Sequence, residues 1–231
     1  MRRIGVMGGT FNPIHNGHLA IAQKAREQFA LEKVLFMPSG IPYMKDQKAV
    51  LPVQARCEMT ALAIKDMPGF ELSEIEAEDV FLRKNTYTCD TLRKLRIADP
   101  WAAYYFILGE DSLYAIEEWK NPELIFQNCT ILAAVRLDER SSGQQEVSEN
   151  GILGQAGDRE KRQARLNTQV RYLREKYRAS VEILEFAGMD ISSTQIREMA
   201  RKGASLRGFL PEAVERYIRE KSLYRKERSE P

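Results

Sequence analysis

At 231 residues, with 43% hydrophobic and 29% charged positions, the chain has the make-up of an ordinary globular protein, long enough for one sizeable α/β domain and short for two. A formal net charge of +2 excludes the strongly basic balance of a dedicated nucleic-acid binder. Cys57, Cys89 and Cys129 are odd in number and far apart, so they indicate neither a disulfide framework nor a metal cluster and suit a reducing cytoplasm. The apolar run at residues 4–7 predicts a buried strand; Gly8-Gly9 interrupts it too early for a secretory leader, and no run approaches a membrane span. After it comes Gly8-Gly9-Thr10-Phe11-Asn12-Pro13-Ile14-His15-Asn16-Gly17-His18, and residues 19–31 then place Ile21, Ala25 and Phe29, with Ala22 beside them, at helical spacing. The stretch is therefore a strand-to-helix turn. Its glycines let backbone approach a ligand, and its far end is a helix start with Asn16 as the expected N-cap. Open N–H groups and the positive end of the helix dipole make that start a phosphate site. His15 and His18 are the only histidines in the chain, and both converge on it. With no third histidine and no nearby cysteine, a zinc set is not reached, so no metal ligands are expected. The Gly-Lys-Ser/Thr ending of a Walker loop is absent, as is the GxGxxG fingerprint.

These residues are similar to the signature of the HxGH nucleotidylyltransferases, and the preceding Gly-Gly-Thr-Phe-Asn-Pro-Ile resembles the bacterial nicotinate mononucleotide adenylyltransferases. The resemblance implies ATP contacts at Gly8, Gly9, Thr10 and Phe11, an acceptor contact at Asn12, and catalytic roles for His15 and His18.

Residues 33–37 predict a second strand, ended by Pro38-Ser39-Gly40. The loop at 41–51 exceeds the usual strand-to-helix connection of about 2–6 residues and carries Lys45 and Lys48. A loop lysine is either a point charge for phosphate or simply solvated. The resemblance selects Lys45 as catalytic, although Met44 stands where the family usually has a histidine. Pro52 suits the first turn of a helix reaching about residue 66, with Ala55, Met59, Leu62 and Ala63 inward. Arg56 and Glu58 match the family's Arg-x-Glu-Met and read as a scaffold charge pair. A strand at 70–75 and an acidic, irregular piece come next.

The segment 85–92 opens a helix to about 97 with Asp90 in its first turn. It is either a well-capped helix or a helix start that receives a carboxylate. Its Thr-Tyr-x-x-Asp-Thr-Leu resembles the family motif beside the nicotinate pocket and assigns Thr86 and Tyr87 to the acceptor. Residues 104–108 are the most apolar strand and predict the sheet centre, ending in Gly109-Glu110-Asp111-Ser112. Asp111 is a helix N-cap or a ligand for a ribose or hydrated magnesium; the resemblance favours ATP binding for Gly109 and Asp111. Trp119 follows a helix at 113–118 and is either packing or, by resemblance, an aromatic lying against the nicotinate ring.

After a strand at 130–135, a polar Gly/Ser/Gln-rich insert at 136–158 reads as a surface loop, where the family has a shorter Arg-Pro-Gly segment. A helix at 158–178 carries Leu166, Val170, Leu173 and Tyr177 on one stripe and a basic outer face, and residues 181–186 form the last strand. In Ile191-Ser192-Ser193-Thr194-Gln195-Ile196-Arg197, Ser192 and Gln195 have capping-box spacing. Two hydroxyls, open N–H groups and Arg197 describe a second phosphate cradle. The wording resembles the family segment for the β- and γ-phosphates of ATP, which implicates Ile191, Ser193, Thr194 and Arg197. A helix at 211–222 closes the chain, with a loose charged tail expected beyond it.

Strands alternate with helices, which predicts an α/β Rossmann-like doubly wound parallel sheet with helices on both faces. One domain would span 1–231, with C-terminal helices from about 192, and its switch point would bring the two cradles together. The implied reaction transfers the adenylyl group of ATP to nicotinate mononucleotide, giving deamido-NAD and pyrophosphate in NAD biosynthesis, with Mg2+ on the phosphates. Nicotinamide mononucleotide and phosphopantetheine stay open as acceptors. A nucleotide sensor, or a nucleic-acid-associated protein using the 158–178 helix, stays open from another class. The protein is expected in the cytoplasm, without membrane or nucleic-acid partners; a homodimer is left open.

Overall fold

A computed structural model of the chain describes residues 1–41, 50–81, 85–137, 152–189 and 191–225. Among the described residues, β1 (Arg3–Gly9), β2 (Lys33–Pro38), β3 (Phe70–Leu72), β4 (Ala103–Gly109), β5 (Thr130–Leu137) and β6 (Val181–Ala187) form one parallel sheet in the order β3-β2-β1-β4-β5-β6. The order runs outward in opposite directions from β1 and β4, so the switch point lies between these two strands, as the alternation predicts.

Side chains alternate along each strand, and this sorts the core into two layers. Met7, Phe36, Ile107 and Leu132 face one way, packing with α1 (Asn16–Gln28), α2 (Val53–Ile64), α8 (Ser193–Arg201) and α9 (Glu212–Glu220) through Ala22, Met59, Ile196 and Val214. Val6, Phe106 and Ile131 face the other way, against α4 (Thr88–Ala98), α6 (Pro122–Asn128) and α7 (Ile152–Tyr177) through Leu92, Ile125 and Leu173. Each such residue, fully buried, contributes roughly 1.5–3 kcal/mol of transfer free energy. With both faces covered, the central strands β1, β4 and β5 need no polar face, which is why they read as largely apolar runs, whereas the edge strands β3 and β6 carry exposed glutamates.

Several expected boundaries shift. The third strand stops at Leu72, and the supposed irregular piece contains helix α3 (Ile75–Phe81), with Glu76 and Glu78 in its first turn where the dipole favours acid. Helix α1 starts at Asn16 and ends at Gln28; its N-cap is His15, not Asn16. Asn16 is committed elsewhere, its backbone N–H to the Phe209 carbonyl and its Nδ2 to the Gly208 carbonyl, each at 2.9 Å. Helix α5 (Glu110–Ala115) is capped by Gly109, so Asp111 lies inside the helix, and a 3-10 turn, Ile116–Glu118, follows. Strand β5 continues to Leu137 and α7 begins at Ile152, so both ends of the supposed polar insert belong to regular elements. The tail is not loose where it leaves α9, because Leu223 and Tyr224 pack against the core.

Candidate active site

The carboxyl ends of β1, β4 and β5 open on a cleft of about 700 Å³. Both predicted phosphate cradles line it: Gly8 to Asn12 with His15 and His18 from the first, and Ile191 to Thr194 with Arg197 from the second. They are bonded to each other directly. Ser193 Oγ donates to the Pro13 carbonyl and Arg197 Nη1 to the Asn12 carbonyl, both at 2.9 Å. Helix α8 begins with the expected capping box: Gln195 N–H donates to Ser192 Oγ at 3.2 Å, and Ser192 N–H to Gln195 Oε1 at 2.7 Å. The first N–H groups of a helix have no intrahelical acceptor, and Ser193 and Thr194 of that first turn line the cleft.

The histidine spacing has a local cause. A Cβ on Gly17 would lie 3.0 Å from His15 Nδ1, so glycine between the histidines gives the His15 ring its place. The two imidazoles stack with centroids 3.7 Å apart and a tilt of 31°. His18 Nδ1 accepts the His15 backbone N–H at 3.2 Å, which leaves the neutral ring's proton on Nε2. His15 is buried, and its Nδ1 has no hydrogen-bond partner among the described residues. Burial first, and then the charge of Arg136, push its pKa down to about 4, so it is neutral at pH 7. Phe11 meets His18 edge-on at 5.1 Å and has a left-handed backbone (φ 45°); a Cβ on Gly9 would lie 2.9 Å from its ring. Gly9 therefore makes room for the folded-back Phe11.

A smaller slot of about 270 Å³ shares Gly8, Gly9 and Thr10 with the cleft and continues to Thr86, Thr88 and Trp119. Trp119 lines both spaces and packs edge-on against Phe106 at 6.2 Å. Gly109 lines the cleft. Two expected residues among those described line neither the cleft nor the slot. Tyr87 is the N-cap of α4, with Lys120 Nζ 4.0 Å above its ring. Asp111 lines a neighbouring depression with Glu110, Tyr114 and Arg162. Lys45 lies outside the described residues.

The sequence does not single out two arginines that the structure places at or behind the cleft. Arg136, which reads in sequence as the start of the polar insert, lies within β5 and lines the cleft near His15. Arg56, read there as half of a scaffold charge pair, is 1% exposed and donates to four main-chain carbonyls: Leu51 at 3.0 Å, Thr10 at 2.8 Å, Ser39 at 2.6 Å and Gly40 at 2.9 Å. Glu58 instead accepts from the Tyr217 hydroxyl at 2.7 Å. A charged residue in an apolar stripe was the available signal for Arg56, since burying it requires such partners.

A family model described as cytidylyltransferase-like matches residues 6–199. A protein of Lachnoclostridium phytofermentans designated a probable nicotinate-nucleotide adenylyltransferase is 39% identical over 225 residues, covering 97% of this chain and 100% of its own. One of Geobacter metallireducens with the same designation is 37% identical over 233 residues, covering 98% and 100%. The nicotinic acid mononucleotide adenylyltransferase of Plasmodium falciparum, solved complexed with NaAD, shares the fold with a TM-score of 0.70 at 16% identity, over 97% of this chain and 98% of its own. With its paired phosphate cradles, its cleft at the switch point and these full-length relatives, the chain belongs to the cytidylyltransferase-like family and, within it, to the nicotinate-nucleotide adenylyltransferases.

Proposed function

We propose that the protein transfers the adenylyl group of ATP to nicotinate mononucleotide, forming deamido-NAD and releasing pyrophosphate. The observation that carries this is the junction of two helix starts, from opposite ends of the chain, on one cleft that runs into an aromatic-walled slot. In this reading the triphosphate occupies the cleft and the aromatic ring of the mononucleotide the slot.

The attacking group is a phosphate, already ionised at neutral pH, so no general base and no covalent intermediate are required. Catalysis then consists of alignment and of neutralising charge on the phosphate oxygens. In this reading the Nε2–H of His18 serves the α-phosphate in the transition state, and neutral His15 donates to the phosphates beside it, with Lys45. Ser193, Thr194, Arg197 and the first turn of α8 take the leaving pyrophosphate. Gly8 to Phe11, Ile191 and Gly109 border the nucleotide. Asn12, Thr86 and Trp119 serve the acceptor. Arg136 adds a cation on the His15 side.

Magnesium belongs to this reaction as part of the ATP substrate. Among the described residues no group of three or more His, Cys, Asp or Glu could hold a metal ion. In this reading the cation is carried in on phosphate oxygens and its own waters. Among those residues no helix is long and apolar enough to cross a membrane.

The test is to mix the chain with ATP and magnesium and either nicotinate or nicotinamide mononucleotide, and to measure dinucleotide and pyrophosphate. Equal amounts of deamido-NAD and pyrophosphate, with the acid strongly preferred, are expected. A preference for the amide, or product only with phosphopantetheine, would replace the acceptor; no product with any of them would refute the reaction.

A further inference from the structure

The carboxyl-terminal turn holds a side chain that this chemistry does not use. Helix α9 ends at Glu220, and the chain then turns through Ser222 (φ 51°) and Tyr224 (φ 64°), both non-glycine residues in the left-handed region. Such residues are uncommon and persist where their surroundings over-determine them. Here the turn is held by the Leu223 N–H, which donates to the Ile218 carbonyl at 2.9 Å. Its effect is to bring Tyr224 against the core layer of α1, α2 and α8, beneath the first phosphate cradle. The Tyr224 hydroxyl meets Asn12 Oδ1 at 2.9 Å, 212 residues away in sequence. Burial raises the tyrosine pKa well above its ordinary range, against the opposing charges of Arg197 and Arg56, so the hydroxyl stays a donor at any working pH.

Asn12 is the joint in this arrangement. Its Oδ1 also accepts the Leu51 N–H at 3.3 Å, and its main-chain carbonyl accepts from Arg197 at 2.9 Å. Only the oxygen of an amide accepts an N–H, so the bond from Leu51 settles which way the side chain faces. The Tyr224 hydroxyl then supplies a second donor to that oxygen. Asn12 is 4% exposed and lines the cleft. A residue of the tail thus bears on the orientation of a group in the wall of the reaction site.

We infer that Tyr224 is a positioning residue for adenylyl transfer, holding the Asn12 amide, and through it the turn between β1 and α1, in the geometry that alignment of the phosphates requires. The inference rests on the reaction proposed above. A misplacement of about 1 Å at reacting groups costs on the order of 100-fold in rate. A tyrosine that merely anchored the tail would affect stability and leave turnover of the folded protein alone.

Tyr224→Phe keeps the ring and removes the donor. With turnover read well below each variant's melting midpoint, kcat is expected to fall about tenfold or more, while KM for ATP and for nicotinate mononucleotide stays within about twofold. The melting midpoint should drop by no more than about 4 °C. Introduced into Asn12→Ala, Tyr224→Phe should lower kcat no further, because two residues acting through one contact are not additive. A wild-type kcat in Tyr224→Phe, a change confined to KM, or losses that multiply with Asn12→Ala would each overturn the assignment while leaving the reaction standing. If the wild-type chain forms no dinucleotide, the reaction itself fails and the role of Tyr224 in it falls too.

Discussion

Arg197 joins the two phosphate cradles: its Nη1 donates to the Asn12 carbonyl at 2.9 Å across 185 residues of sequence, and its Nη2 donates to Thr194 Oγ1 at 3.0 Å. A cation early in a helix opposes the dipole unless an anion shares the site, so the fork is poised for phosphate as well as for Asn12. Lysine would keep the charge and lose the planar fork. Arg197→Lys is therefore expected to lower kcat/KM for ATP by about 100-fold with little change in melting midpoint. Steady-state kinetics and a thermal melt check this. Near wild-type kcat/KM would mean that the union of the cradles needs charge alone.

His15 gives a pH dependence whose sign can be worked out. Its folded pKa of about 4 lies below the ordinary value of 6.5, because burial, and then Arg136, disfavour the charged ring. Between those values the unfolded chain binds a proton that the folded chain refuses. The His15 contribution is thus fully present above pH 6.5 and is lost as pH falls toward 4, by roughly 3 kcal/mol in total. Urea unfolding at pH 7 and pH 4 should show the wild type losing roughly that much more than His15→Gln, whose comparison cancels the other titrating groups. Parallel losses in the two proteins would remove the assignment.

The legible parts of this molecule are those written in local pattern. Val6 and Met7 are continuous apolar sequence because α-helices cover both faces of β1, and Ser192 to Arg197 announces a helix start by its own capping chemistry. What stayed hidden depends on partners remote in sequence or on main-chain atoms, which leave no pattern of residue types. Arg56 donates to four carbonyls, while Glu58, the neighbour that resembles its counter-ion, accepts from Tyr217 instead. Tyr224 sits in a charge-rich tail whose composition suggests solvent, and only the folded chain brings Asn12 to it. Arg136 belongs by composition to the polar stretch that follows it, yet the register of β5 against β6 extends through it to Leu137.

Arg56 is the clearest case of one side chain setting several loops. Its guanidinium holds Thr10 in the first cradle, and Gly40 and Leu51 on either side of the segment that carries Lys45. Arg56→Met would fill similar volume and leave four buried carbonyls without this donor. Unmade buried hydrogen bonds cost about 1–3 kcal/mol each, with partial recovery by water, so a net loss on the order of 3–5 kcal/mol is expected. For a chain of this size that is about a 10 °C fall in melting midpoint or more. Activity measured on the remaining folded protein should also decline, since the backbone of the cradle is no longer held. A midpoint within about 2 °C of wild type would show that these carbonyls find other partners.

Trp119 lines the slot and the cleft together, which makes it the residue whose loss should separate the two substrates. Its ring is already braced edge-on against Phe106, at 84° between planes, leaving a face for a flat acceptor. An aromatic contact contributes about 0.5–1.5 kcal/mol beyond the area it covers, so Trp119→Ala is expected to raise KM for nicotinate mononucleotide about tenfold. KM for ATP should stay within about twofold, because the triphosphate is held by groups on the far side of Gly9. Trp119→Phe, which retains a ring, should recover most of the acceptor affinity. Should both substrates weaken equally in Trp119→Ala, the slot is not the acceptor's, and the aromatic is a wall of the nucleotide cleft instead.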